Sequence, residues 1–202
     1  MRMHGTKERI VEASAELFRR QGYTGTGLKQ IVAAANAPFG SLYHFFPEGK
    51  EQLGAEVIRA SGRMYQQLLE GIVDAAPDVA SGVRDCFVGA AALLEETGYA
   101  DACPIAAVAL DVASTNERVR EATEEVFRGW IEAGADKLAA AGVPREKARD
   151  LSIQMIAALE GSFVLARAMR STEPVLKAGE VVVDAVRAAI GQARKRDRGG
   201  ER

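Results

Sequence analysis

Cysteine is nearly absent: Cys86 and Cys103 are the two thiols in 202 residues, too few for a disulfide framework and without the paired spacing of a zinc site. Two histidines, His4 and His44, add no ligand cluster. The chain shows neither a phosphate-cradling glycine loop nor a nucleophile elbow, so no metal, cofactor or catalytic residue is expected. No run of about 18 uncharged apolar residues is present to span a bilayer. The first residues, Met1 to Lys7, lack the apolar stretch of a signal peptide, and the expectation is a cytoplasmic protein with no membrane partner. Proline is sparse at 6 residues, aromatics make up 6% and alanine is abundant, a balance that favours helices.

What is plentiful is aliphatic and charged: 48% hydrophobic, 27% charged, for a net charge of -2. The charge is uneven. Residues 1–50 hold Arg2, Lys7, Arg9, Arg19, Arg20, Lys29 and Lys50 against Glu8, Glu12, Glu16 and Glu48, a net +3, and the remainder carries -5. A small basic head on an acidic body is the distribution that contact with DNA through one end requires, although a solvated surface accounts for so modest an excess nearly as well.

Periodicity divides the head into three helices. Ile10, Ala13, Leu17 and Phe18 recur at spacings of three and four in a first amphipathic helix that Gly22 ends. Leu28, Ile31, Val32 and Ala35 mark a second of two turns, closed by Asn36 because a residue before a proline-containing turn is pushed from helical dihedrals at Ala37-Pro38. Pro38 suits the first turn of a third, Phe39 to Phe46, which Pro47 stops. From Glu48 a much longer stripe runs to Ile72, and apolar stretches bounded by turn signals follow over Val79–Leu94, Pro104–Ala113, Val119–Ala141, Pro144–Met169 and Glu173–Ala193. No period-two alternation with hairpin dipeptides appears, so the fold class is all-α. The expected division is a helix-turn-helix domain at 1–50, a helical ligand-binding and dimerisation domain at 51–193, and a polar, disordered tail at 194–202.

A short helix, a turn and a second short helix supported by a longer one is the arrangement in which the last helix enters the major groove. The stretches Ile10-Val11-Glu12-Ala13-Ser14-Ala15-Glu16-Leu17-Phe18, Gly22-Tyr23, Ala34-Ala35, Gly40-Ser41-Leu42-Tyr43-His44-Phe45-Phe46-Pro47 and Lys50-Glu51-Gln52-Leu53 make the head resemble the DNA-binding domain of TetR-family regulators. The resemblance implies DNA contacts from Gly40, Ser41, Tyr43, His44 and Lys50, with Thr26, Lys29 and Phe39 as further candidates. Two departures stand out. Gly27 occupies a position where the family often has a Ser or Thr that caps the helix and touches phosphate, which leaves Thr26 to serve. Phe39 replaces a common polar or lysine residue, and either presses on a thymine methyl or packs. Ser41 and His44 lie three apart on one helix with no group to orient the imidazole, which argues against an acyl-transfer pair.

The body has two expected tasks. Two heads reading a palindrome need a fixed separation, so Leu151, Ala158, Ser162, Leu165, Ala166, Val182 and Val186 are candidates for a homodimer interface built from the last two helices; packing within one chain is the competing account. A cavity among helices is apolar with a few polar groups, and Met64, Tyr65, Leu68, Phe87, Val108, Asp111, Phe127, Trp130, Ile131, Met155, Leu159 and Phe163 are candidates to line it, with Glu160 a further acid in an apolar stretch. Ordinary core and surface ion pairs account for the same residues. The run Ala102 to Asp111, with Cys103-Pro104, resembles the LmrA/YxaF-like branch of the family, whose members respond to drugs or flavonoids, and implies an apolar or aromatic inducer. Cys103 is either a redox or electrophile sensor or a small buried hydrophobe. The expected function is a repressor that holds a palindromic operator as a dimer and releases it when a small molecule binds and tilts the helix beginning near Glu48. An enzyme using the cavity, or a non-DNA interaction module on the same fold, are the alternatives.

Overall fold

In the computed structural model, residues 5–100 and 103–200 are described, and every regular element among them is helical: α1 Thr6–Gln21, α2 Leu28–Ala34, α3 Phe39–Phe45, α4 Lys50–Ala75, α5 Val79–Glu96, α6 Pro104–Val112, α7 Glu117–Ala140, α8 Arg145–Met169 and α9 Glu173–Gly200. The stops are local chemistry. Gly22 takes φ 78° and its N–H donates to the Phe18 carbonyl at 3.0 Å, a backbone state that costs glycine nothing. Asn36 (φ 46°) turns the chain out of α2 just before Pro38, and Gly49 (φ 71°) folds it between α3 and α4. At α5, Asp78 accepts from the Ser81 N–H at 2.9 Å and caps the helix.

The chain divides into two compact units that do not follow its order. One lies within Met1–Tyr65 and Ala102–Phe127, the other within Gln66–Asp101 and Arg128–Arg202, so the division falls inside α4 and α7. The expected boundary at residue 50 reads the chain in order; the first unit instead recruits α6 and the start of α7. Burial is the reason. Ile105, Val108, Val119 and Ala122 are fully buried, as are Ile10, Phe18, Ile31, Leu42, Leu53, Val57 and Ile58, and each Val, Leu, Ile or Phe side chain removed from water contributes about 1.5–3 kcal/mol. Gly54 lets Tyr23 lie close to α4: a Cβ there would stand 2.6 Å from the Tyr23 ring.

In the second unit, Val83, Phe87 and Leu94 of α5, Leu138 of α7, Leu151 and Ala166 of α8, and Val175, Val182 and Val186 of α9 form one buried cluster. Gly179 admits the close packing of α9 on α5, since a Cβ would sit 2.7 Å from Cβ of Phe87. Helix α9 continues to Gly200, into the segment expected to be disordered from 194, because Ala193, Arg194, Lys195 and Arg196 are all competent helix formers. Residues 201 and 202 of that tail, Arg2 of the basic head and Ala102 of the branch-like run lie outside the described residues.

Candidate nucleic-acid interface and apolar cavity

Helix α3 has one anchored side and one bare side. Leu42 is fully buried and Phe46, just past the helix end, nearly so, which fixes the helix against α1 and α2. The opposite face carries Phe39, Gly40, Tyr43 and His44, all exposed, with Ser41 half-buried at its edge. Phe39 and Tyr43 remain 44% and 49% exposed although aromatic, and their rings meet edge-to-face with centroids 5.8 Å apart. His44 pairs in the same way with Phe45 at 4.9 Å. A side chain at Gly40 would meet no heavy atom within 4 Å, so the backbone there is open to close approach.

The groups around α3 sort differently from the sequence reading. Lys29 is exposed on α2. Thr26 is 1% exposed: its hydroxyl donates to the Gly22 carbonyl at 2.7 Å and accepts from Gln21 Nε2 at 3.2 Å, so it closes the α1–α2 turn and presents nothing outward. Gly27 has no side chain to cap α2, and Gln30 makes the other half of a capping box by accepting from the Gly27 N–H at 2.8 Å. Lys50 is half-buried, with Nζ 4.4 Å from the centroid of the Tyr23 ring. Burial lowers its pKa, and the nearby Asp111 carboxylate acts in the opposite sense. The Tyr23 hydroxyl is pushed up to about 12, first by burial and then by Glu51 and Asp111.

Asp111, expected in a ligand pocket, has another place. Its Oδ2 accepts from the Thr24 N–H at 2.6 Å, so α6 caps the turn that precedes α2. Sequence spacing gives no sign of this, because the partners are 87 residues apart. Arg9 likewise donates through Nε to the Ala35 carbonyl at 3.1 Å, satisfying a carbonyl that the end of α2 leaves open.

The second unit holds a cavity of about 130 Å³ that is partly open to solvent. Of the expected lining residues, Phe87, Trp130, Met155, Leu159 and Glu160 are on its wall; Leu69, Val83, Cys86 and Ile156 are wall residues that helical periodicity did not single out. The other candidates lie elsewhere. Met64 and Leu68 are each 54% exposed, Val108 is core of the first unit, Tyr65 and Phe127 belong to that unit as well, Phe163 packs on the valine-rich cluster, and Ile131 is half-buried off the cavity wall. An apolar stripe establishes that a helix face is covered but not by what. The polar rim is engaged internally: Gln66 donates to Glu70 at 2.9 Å and Lys137 pairs with Asp74. The Cys86 thiol, pushed up to about 11 by burial and then by Asp85, donates weakly to the Leu69 carbonyl at 4.0 Å. Among the described residues no group of His, Cys, Asp and Glu is placed to hold a metal ion.

On α8 and α9 the expected interface residues Leu151, Ser162, Ala166, Val182 and Val186 are buried in the chain's own core, and Ala158 is half-buried. Of the expected set Leu165 alone stands well exposed; the bare apolar face runs through it with Ile153, Val164 and Met169 on α8 and Leu176 and Val181 on α9, from 38% to 70% exposed. Helix α8 is long and apolar enough by length and composition to cross a membrane, with a window of mean hydropathy 1.3 of which 22% is buried inside the chain.

Two family models match the chain in consecutive stretches. The model of bacterial regulatory proteins of the tetR family matches residues 10–57, and that of the LmrA/YxaF-like transcriptional regulator C-terminal domain matches residues 79–181. The chain is similar to the uncharacterized HTH-type transcriptional regulator YxaF of Bacillus subtilis, 31% identical over 182 residues that cover 90% of this chain and 95% of the relative. It is 30% identical to the transcriptional regulator LmrA of the same organism over 179 residues, covering 89% and 95%. A crystal structure of a TetR regulator from Legionella pneumophila shares the fold, with a TM-score of 0.79 at 24% identity and coverage of 90% and 97%. The chain thus belongs to the TetR family of bacterial transcriptional regulators, with a helix-turn-helix head and an LmrA/YxaF-like C-terminal domain.

Proposed function

We propose that this regulator is a ligand-responsive repressor: two copies hold a palindromic operator, and a compact apolar or aromatic molecule in the apolar cavity releases it. The observation that carries the reading is the two-sided build of α3, pinned by Leu42 while Phe39, Gly40, Tyr43 and His44 stand bare. A protein folding for its own stability has no reason to leave two of its few aromatics half exposed on one short helix. Residues 1–50 would serve DNA, with Lys50 and Lys29 toward phosphates and Ser41, Tyr43 and His44 toward bases and backbone, and 51–193 would serve ligand and dimer. Thr26 has no free hydroxyl for this role. A protein working on operator DNA acts in the bacterial cytoplasm.

Dimerisation is supported by the bare face of α8 and α9, whose four aliphatic or thioether groups on α8 and two on α9 match the self-complementary surface that a two-fold axis needs. The cavity supports a small ligand. An apolar void of roughly 150 Å³ accepts a benzene-sized molecule, so a cavity of about 130 Å³ with Trp130 and Phe87 on its wall suits a single ring before any expansion. Release then follows from differential affinity: a molecule that binds the DNA-incompetent form more tightly weakens operator binding by that difference.

The test is footprinting of the DNA immediately upstream of this gene, its own promoter included, with the purified protein. Two protected half-sites, centred about 34–36 Å apart and lost when a one- or two-ring aromatic is titrated in, are expected. Absence of protection anywhere on that DNA would overturn the reading in favour of an interaction module on the same fold.

A further inference from the structure

We infer that Phe39 determines part of the operator sequence by pressing its ring on the 5-methyl group of a thymine in each half-site, an inference that rests on the operator reading above. Helix α3 reads FGSLYHF, without Arg, Lys, Asn, Gln, Asp or Glu. The side chains that pair in bidentate fashion with guanine or adenine are therefore missing from the face offered to the groove. What that face presents instead is an aromatic ridge: Phe39, 44% exposed, braced edge-to-face by Tyr43 at 5.8 Å and 64°. The brace matters because it holds a ring that would otherwise rotate freely in water.

Chemistry then narrows the partner. Base edges in the major groove present nitrogen and oxygen donors and acceptors, and the thymine methyl is the apolar group among them. A phenyl ring has nothing to offer the polar atoms and would strip water from them at a cost. Against a methyl it buries apolar surface on both sides. The neighbouring Gly40, where a side chain would find only open space, removes the bulk that would hold the ring away from the bases.

The experiment replaces thymine by deoxyuracil, one symmetric position at a time, in a duplex carrying the footprinted site. This deletes the methyl and keeps every Watson–Crick pair. Burial of one methyl corresponds to about a fourfold change in affinity per half-site, hence about fifteenfold when both half-sites are changed. The expected result is one symmetric position at which the wild-type protein loses about that factor. Phe39→Ala binds the thymine and uracil duplexes equally there, and Phe39→Leu keeps part of the preference. Equal binding of both duplexes by the wild-type protein at every position overturns the inference while leaving operator binding intact. A thymine preference that survives in Phe39→Ala overturns it too, by assigning the methyl to another residue. Failure to bind the unmodified duplex would instead sink the operator reading on which it rests.

Discussion

Lys50 offers the most quantitative check on the proposed DNA face. Its ammonium sits 4.4 Å from the Tyr23 ring centroid, beside the first turn of α4, so it is held in place before any DNA arrives. If it neutralises one phosphate, its removal lowers the slope of log affinity against log salt by about 0.9 per copy, or about 1.8 for a dimer. Between about 50 and 200 mM salt, the deficit of Lys50→Ala relative to wild type should therefore shrink by about tenfold. The alanine variant also forfeits the contact with Tyr23, worth about 0.5–1 kcal/mol at a partly exposed position. That loss is common to free and bound protein, so it appears in urea unfolding and leaves the salt slope untouched. Fluorescence anisotropy of a labelled operator duplex across a salt series measures the slope directly. Parallel lines for wild type and Lys50→Ala would refute the phosphate contact, whatever the absolute affinities.

Further outcomes follow from the same geometry. Asp111→Ala should lower stability by about 1 kcal/mol, less than the roughly 1.5–3 kcal/mol of a charge-assisted hydrogen bond because the carboxylate is exposed, and Asp111→Asn should recover about half; urea midpoints equal to wild type for both would remove the capping role. Leu165→Glu with Val181→Glu should yield monomers in sedimentation velocity and abolish operator binding at concentrations where wild type is saturated, and a surviving dimer would place the interface elsewhere. In a Cys103→Ser background, Cys86 should resist maleimide near pH 8. Its thiol keeps its proton in the fold up to about 11 against an ordinary 9.0, so this group's contribution to stability is complete below pH 9 and is lost as pH rises toward 11; rapid native-state labelling at pH 8 would contradict the buried thiol.

Much of the fold is written in local signals. The stops at Gly22, Asn36 and Pro47, and the long reach of α4, follow from backbone chemistry that acts within a few residues, and the exposure of Phe39, Tyr43 and His44 follows from the period that buries Leu42. What was not legible depends on partners far along the chain. Thr26 reads as a polar group free for phosphate until Gly22 and Gln21 claim it, and Asp111 reads as a polar spot in an apolar run until it is found under Thr24. The cavity wall and the bare face of α8 and α9 suffered from the same gap. A stripe such as Leu151, Ser162 and Ala166 declares itself buried, while the identity of the covering surface, own chain or second copy, is set by tertiary packing. A shift of one residue in register moves Leu165 out and Ala166 in.

The first unit is assembled from two stretches of chain, and this has a consequence for how the protein is made. When the ribosome has released the three head helices, α1 still lacks the helix α6 that packs on it, and Thr24 still lacks its carboxylate. Residues 66–101, which belong to the other unit, emerge in between. Vectorial synthesis, which lets most amino-terminal domains settle first, therefore gives this head no early start. A nascent chain cut short before Asp111 carries a reading helix on an unfinished scaffold, so commitment to DNA is deferred until the first stretch of the other unit, residues 66–101, has been translated.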